Sequence, residues 1–211
     1  MRTVIVDYDS GNLHSAEKSF QRVAGETGGG EVLVSSRPEV VARADRVVLP
    51  GVGAFADCRR VLAEHTGLFE AVEQRVIAEG APFLGICVGM QMMATWGREH
   101  VDTRGFGWIG GEVVRIRPAD AGLKVPHMGW NNTVIEKDSP LFEGISREAM
   151  YYFVHSYHVV CNNENDVLTT TDYGYNFHSS FAHGKILGVQ FHPEKSHKFG
   201  MLLLKNFIEN C

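Results

Sequence analysis

Three short stretches of the 211-residue chain carry residue types that could do chemistry. The first is Phe83-Leu84-Gly85-Ile86-Cys87-Val88-Gly89-Met90-Gln91, an apolar run ending at a cysteine with glycine two residues before and two after it. A nucleophile on a sharp strand-to-helix turn needs that spacing, because larger flanking side chains collide with the crowded backbone. The turn also places the sulfur at a helix N-terminus, where the dipole and free N–H groups favour thiolate over thiol. Taken alone, the same nine residues also describe a buried cysteine on a core strand.

The second stretch is His192-Pro193-Glu194, directly after the apolar run Ile186–Phe191. Pro193 biases His192 toward an extended backbone, in which residues i and i+2 point the same way. A carboxylate beside an imidazole holds its tautomer and stabilises imidazolium, which an active cysteine requires of its base. By itself, the tripeptide also fits a turn with a solvated acid. The third stretch, Pro50-Gly51-Val52-Gly53, offers unhindered backbone N–H groups that could bind an oxyanion. Together the three supply a nucleophile (Cys87), a base (His192), an orienter (Glu194) and oxyanion donors. The combination favours catalysis.

The elements that must position them read as α/β. Thr3–Val6 predicts a strand ending in the turn Asp7–Gly11, and Leu13, Ala16, Phe20 and Val23 form one helix face. Glu31–Val34 predicts a strand, Pro38 opens a short helix through Ala42, and Val47–Leu49 predicts a third strand. Helical stretches follow from Ala54 and from Leu68 to Glu79, then the Cys87 strand and a helix from Met90 to Trp96. This alternation implies right-handed βαβ units on a parallel sheet, with ligands at the carboxyl ends of strands. Asp7–Gly11, Pro50–Gly53 and Cys87 all fall at such ends. Beyond Gly97, Trp108–Ile116, Thr133–Ile135, Met150–Val160 and Val167–Thr171 predict β segments, added at one edge and folded over one end of the sheet. Ile186–Phe191 predicts a central strand, and Ser196 is expected to cap a last helix through Ile208. No linker divides residues 1–211, so one domain is expected.

The composition is that of a soluble globular protein, 44% hydrophobic and 21% charged. A net charge of −5 gives no reason to expect nucleic acid or an anionic membrane as partner. Cys58, Cys87, Cys161 and Cys211 are widely spaced, which argues against a disulfide framework and fits a reducing, cytoplasmic location. Met1–Val6 is too short for a signal-peptide core, and no stretch approaches the ~20 apolar residues of a membrane span. His155, His158, His178 and His183 invite a metal reading. On one strand, however, i and i+3 face opposite ways, and no acidic or cysteine ligand accompanies them at site spacing. No metal and no cofactor are expected.

The Gly85–Gln91 stretch with His192-Pro193-Glu194 resembles the class I glutamine amidotransferase family, the Cys-His-Glu type. Pro50-Gly51-Val52-Gly53 stands where most of that family has Pro-Gly-Gly. With Tyr8–Leu13, Lys124–Asn131 and Tyr151–Tyr157, it resembles the glutaminase subunits of imidazole glycerol phosphate synthase. The likeness spans residues 3 to 208. Asp9, where many relatives have glycine, and the longer Gly25–Gly30 loop depart from it locally.

The resemblance implies a flavodoxin-like fold with a mostly parallel central sheet, flanking helices and extra antiparallel strands in the second half. It implies hydrolysis of L-glutamine by Cys87, His192 and Glu194, with oxyanion donors among Gly51, Val52, Gly53 and Val88, and Gln91 contacting the substrate. It also implies that the Gly51-Val52 peptide reorients for catalysis, leaving the free subunit nearly idle. The partner implied is a separate (β/α)8 cyclase subunit, forming a heterodimer. That subunit uses the ammonia to make imidazole glycerol phosphate and an aminoimidazole carboxamide ribotide in histidine biosynthesis. Asn12, Trp130, Tyr152, His155 and Lys195 are the candidates for interface or gating roles, and Trp130 and Tyr152 equally fit core aromatics. Competing readings are the glutaminase subunit of another synthase, such as the anthranilate or pyridoxal phosphate systems, a γ-glutamyl hydrolase, and a catalytically silent binding module.

Overall fold

The computed structural model describes residues 1–120 and 122–211. Its first half alternates as the apolar runs predict: β1 (Arg2–Val6), α1 (Leu13–Thr27), β2 (Glu31–Ser35), α2 (Pro38–Val41), β3 (Arg46–Gly51), α3 (Phe55–Glu64), α4 (Leu68–Glu73) and β4 (Phe83–Cys87). A single helical turn, α5 (Val88–Gln91), follows the nucleophile candidate. Strands then dominate: β5 (Ala94–Gly97), β6 (Thr103–Arg104), β7 (Ile109–Arg115), β8 (His127–Asn132), β9 (Val134–Ile135), β10 (Met150–His155), β11 (Tyr157–Cys161), β12 (Val167–Asp172), β13 (Asn176–His183) and β14 (Ile186–Val189). Helix α6 (His197–Asn210) closes the chain.

An eight-stranded sheet runs β2-β1-β3-β4-β14-β13-β12-β9. The pairings β2–β1, β1–β3, β3–β4 and β4–β14 are parallel. Strands β13, β12 and β9 continue the sheet antiparallel. Parallel strands covered by helices on both faces must be apolar throughout, and Val4–Val6, Val47–Leu49 and Phe83–Ile86 are all buried. The flavodoxin-like expectation therefore holds, with β3, β4 and β14 ending side by side. Among the described residues no helix is long and apolar enough to cross a membrane.

Several local expectations are corrected. Met90–Trp96 is not one helix: after α5 the chain turns, and Ala94–Gly97 pairs with β6 and β7. Helical texture is overridden by strand partners that lie later in the chain, so local pattern has no access to them. Met150–Val160 is not one strand either. It breaks at Ser156, with β10 joining β8 in a two-stranded ribbon and β11 entering a separate sheet, β11-β7-β5-β6. The second half thus adds three edge strands, a second sheet and a ribbon. His155 and His158 belong to different sheets, so the opposite-faces argument for a single strand does not apply to them.

Candidate active site

Cys87 ends β4 with φ 55° and ψ −113°, a left-handed conformation that costs a non-glycine residue on the order of 1–3 kcal/mol. The flanking glycines permit it. A Cβ on Gly85 would sit 2.8 Å from the Gly89 carbonyl oxygen, and one on Gly89 would run into the Leu49 carbonyl. Helix α5 is only one turn long, so the dipole argument made for a longer helix weakens. The group that can pair with the sulfur is the imidazole of His192.

That imidazole sits just beyond β14. His192 Nδ1 lies 2.8 Å from Glu194 Oε1, and the two side chains are 2% and 3% exposed, which separates this pair from a turn with a solvated acid. Because a carboxylate only accepts, Nδ1 carries the proton and Nε2 is left for the thiol. Burial, the largest single influence, opposes a charged ring. The Cys87 thiolate and then Glu194 overcome it, raising His192 to about 10. Among the described residues Nε2 makes no hydrogen bond of ordinary geometry, yet the sulfur acts on the ring both as a charge and as an acceptor. Catalytic hydrogen bonds are commonly loose before substrate binds.

The backbone of His192 is tied to the β8–β10 ribbon. Its N–H donates to the Tyr152 carbonyl at 2.9 Å. Ser196 Oγ donates to the His192 carbonyl at 2.6 Å and accepts from the Tyr152 N–H at 3.0 Å. Ser196 precedes α6 as expected, but its hydroxyl is spent on this brace and makes no capping bond.

Gly51 is the register partner of Cys87 across β3 and β4, which brings Pro50–Gly53 beside the sulfur. Val88, first in α5, has an N–H that its own helix leaves free. The Val52 N–H instead points to Ser10 Oγ at 3.4 Å. The Val52 carbonyl accepts from Ser10 Oγ at 2.8 Å and Cys58 Sγ at 3.3 Å. Cys87, His192, Val52, Gly53, Val88 and Gln91 all line one cavity of about 410 Å³, within the range of small-molecule sites.

Two residues not singled out from sequence belong here. Gln190 is buried, donates to Cys87 Sγ at 3.7 Å and accepts from Gln91 Nε2 at 3.0 Å. Its place two residues before His192 is a period-two signal that could have found it. Glu99 lines the cavity while one carboxylate oxygen accepts the Phe55 N–H at 2.8 Å; nothing local in the sequence marks it.

The remaining candidates divide by face of the ribbon. Alternation turns Met128 and Trp130 of β8, with Met150 of β10, outward at 61%, 42% and 42% exposure. Trp130 is therefore no core aromatic. It stacks on His197 at 4.8 Å and meets half-buried Tyr152 edge-on at 6.0 Å. The Lys195 ammonium lies 5.8 Å from the Tyr152 ring centre. Asn12 precedes α1 without making a capping bond. His155 stands apart: it is buried, lines the cavity and contacts His127.

Residues 30–211 match the family model described as glutamine amidotransferase class-I. The chain is 58% identical over 208 residues to the imidazole glycerol phosphate synthase subunit HisH of Cereibacter sphaeroides, covering 99% of this chain and 98% of that protein. It is 48% identical over 213 residues to the HisH subunit of Rhodopseudomonas palustris, covering 99% of each. A crystal structure of a putative GMP synthase subunit from Thermoplasma acidophilum superposes with a TM-score of 0.68 at 22% identity, over 99% of this chain and 92% of that one. A glutamine amidotransferase from Thermotoga maritima gives 0.62 at 18% identity, over 92% and 76%. At those identities the two structures speak to the fold alone.

Proposed function

The chain belongs to the class I glutamine amidotransferase family, and from that premise we propose that it is the glutaminase subunit of an imidazole glycerol phosphate synthase, acting in histidine biosynthesis as a single domain. The observation that carries the chemistry is the buried His192–Glu194 pair beside a strained Cys87, all opening on one cavity.

In this reading the Cys87 thiolate attacks the side-chain amide carbon of glutamine. His192 imidazolium gives its proton to the departing nitrogen, releasing ammonia and leaving a thioester. Neutral His192 then takes a proton from water as it attacks the thioester; the C–S bond breaks, glutamate leaves and the thiolate returns. Glu194 holds the ring's orientation throughout. The Val88 N–H is ready to receive the oxyanion. The Val52 N–H is engaged by Ser10, and turning the Gly51-Val52 peptide would add a second donor. That supports a protein nearly idle until it is switched. Gln91 and Glu99 present acceptors to the substrate's α-ammonium group.

Ammonia is mostly protonated near neutral pH, so it must pass to its acceptor through a closed interface. The outward face of β8 and β10, apolar at Met128, Trp130 and Met150 and bordered by Lys195, supports docking of the (β/α)8 cyclase subunit. The test is glutaminase activity of the chain alone, with the cyclase subunit, and with that subunit's ligand added. Near-silence alone and a large rise with both are expected. High activity alone would overturn the switched reading, and none under any condition would favour a silent binding module.

A further inference from the structure

Behind the outer face of the ribbon, a line of polar groups runs from β8 to the cavity. Asn131 Oδ1 accepts the Asn132 N–H at 2.8 Å, which fixes the amide so that Nδ2 faces the Asp172 carbonyl at 2.9 Å and His127 Nε2 at 3.3 Å. His127 Nδ1 is 3.0 Å from His155 Nε2, and His155 Nδ1 is 2.8 Å from the Tyr157 carbonyl. That carbonyl also accepts from Gln91 Nε2 at 3.0 Å.

The proton positions follow from these partners alone. A carbonyl only accepts, so His155 carries its proton on Nδ1. An Nδ2 amide only donates, so His127 Nε2 is bare and its proton sits on Nδ1, aimed at His155 Nε2. Protonating either ring would set N–H against N–H somewhere along the line. Burial agrees, lowering His127 to about 4 and His155 to about 3. His127 is further held between rings, stacked on Tyr173 at 4.0 Å and Phe153 at 4.8 Å. Every hydrogen bond points one way, from Asn131 to Tyr157. The two N–H bonds of Gln91 are then both taken, by the Tyr157 carbonyl and by Gln190 Oε1, which leaves its oxygen without a partner among the described residues in a side chain that lines the cavity.

We propose that Asn131, His127 and His155 are positioning residues: a one-way hydrogen-bond relay that pins the Tyr157 carbonyl and thereby holds the Gln91 amide with its oxygen presented to the substrate. The proposal rests on the glutaminase reading for its effect on activity, but not for its proton positions. A carbonyl clamped by both His155 and Gln91 cannot rotate without breaking two buried hydrogen bonds. Without the relay the Tyr157 carbonyl loses one of its two clamps, and Gln190 Oε1 is left as the only firmly placed acceptor holding the Gln91 amide in this orientation.

Two measurements test it. Nitrogen-15 NMR of the imidazole rings in the full chain should show both His127 and His155 as neutral Nδ1–H tautomers at pH 7. An Nε2–H tautomer or an imidazolium at either ring would overturn the relay, whatever the protein's activity. In the complex with the cyclase subunit, His127→Phe keeps the aromatic sandwich but removes the donor. It should raise the KM for glutamine about tenfold, with a smaller change in kcat. His127→Gln can still donate to His155 and accept from Asn131, and should return the KM to within about twofold of the parent. A folded His127→Phe with an unchanged KM would overturn the proposal. So would equal damage by both substitutions, which marks a purely structural ring. Should His127→Phe fail to fold, the tautomers decide. Absence of glutaminase activity in the parent complex would count against the glutaminase reading, while the tautomer measurement still judges the relay.

Discussion

Gly51 lies directly opposite Cys87 in the parallel register of β3 and β4. The pairing puts the glycine-rich loop against the sulfur and leaves no room for a side chain. A Cβ at position 51 would lie 2.6 Å from the Tyr8 hydroxyl and 2.7 Å from the Gly89 nitrogen. The Pro50–Gly53 loop and the Cys87 turn are thus packed backbone to backbone.

Gly51→Ala should therefore disturb both at once. The expected result is a loss of about 10²-fold or more in glutamine turnover by the complex, the scale of losing an oxyanion donor. Steady-state kinetics check it. Synthesis from added ammonium salts should be spared, and equal loss of both would mean the substitution damages assembly.

Cys87 holds a positive-φ backbone that its proposed role as nucleophile calls for and its stability does not. Cys87→Ala should abolish glutamine-dependent synthesis and leave ammonium-dependent synthesis intact. Cys87→Gly should be just as inactive yet more stable than Cys87→Ala by about 1 kcal/mol, because glycine adopts φ 55° at no steric cost. Denaturant unfolding of the two variants compares them, and a less stable glycine variant would refute stored strain at this turn.

The pH dependence follows from His192, raised to about 10 in the fold against an ordinary 6.5. A raised base contributes stability that is fully present below pH 6.5 and is lost as pH rises through about 10. Unfolding free energy relative to His192→Gln should accordingly narrow between pH 7 and 10. Since the thiolate is the leading favourable charge on the ring, Cys87→Ala should lower the His192 midpoint, read by NMR titration. An unchanged midpoint would deny the ion pair.

Trp130 is 42% exposed on the outer face of the ribbon, touching its own chain through His197 and Tyr152. Trp130→Ala should weaken binding of the cyclase by about tenfold or more, as loss of buried interface aromatics does. Stability of the isolated chain should change by only about 0.5 kcal/mol, as for most surface substitutions. Calorimetric titration and thermal unfolding separate the two effects, and a large stability loss with unchanged affinity would place Trp130 in the fold's own packing.

Much of this site was legible because its parts are local. Glycine two residues either side of Cys87, and the closeness of His192 to Glu194 along the chain, are read within a few positions, although Pro193–Lys195 is a 3-10 turn and not the extended run expected there. What escaped was decided by distant partners. The stretch after Met90 has helical texture, yet Ala94–Gly97 pairs with β6 and β7. Ser196 looks like a cap, yet its hydroxyl braces His192 to Tyr152. Glu99 reaches the cavity because it receives the N–H of Phe55, a neighbour only after folding.

By itself, then, the sequence determined which groups are present to react and the alternation of apolar runs that builds a parallel sheet. Those depend on side-chain chemistry and short-range backbone sterics. Only the tertiary structure decided that Gly51 faces Cys87 and that Cys87 and Glu194 raise His192 against the opposing effect of its burial. It also decided that Trp130 points out while His127 and His155 point in. Those outcomes depend on strand register, dielectric and through-space contacts between residues far apart in the chain, quantities that no short stretch of residues contains.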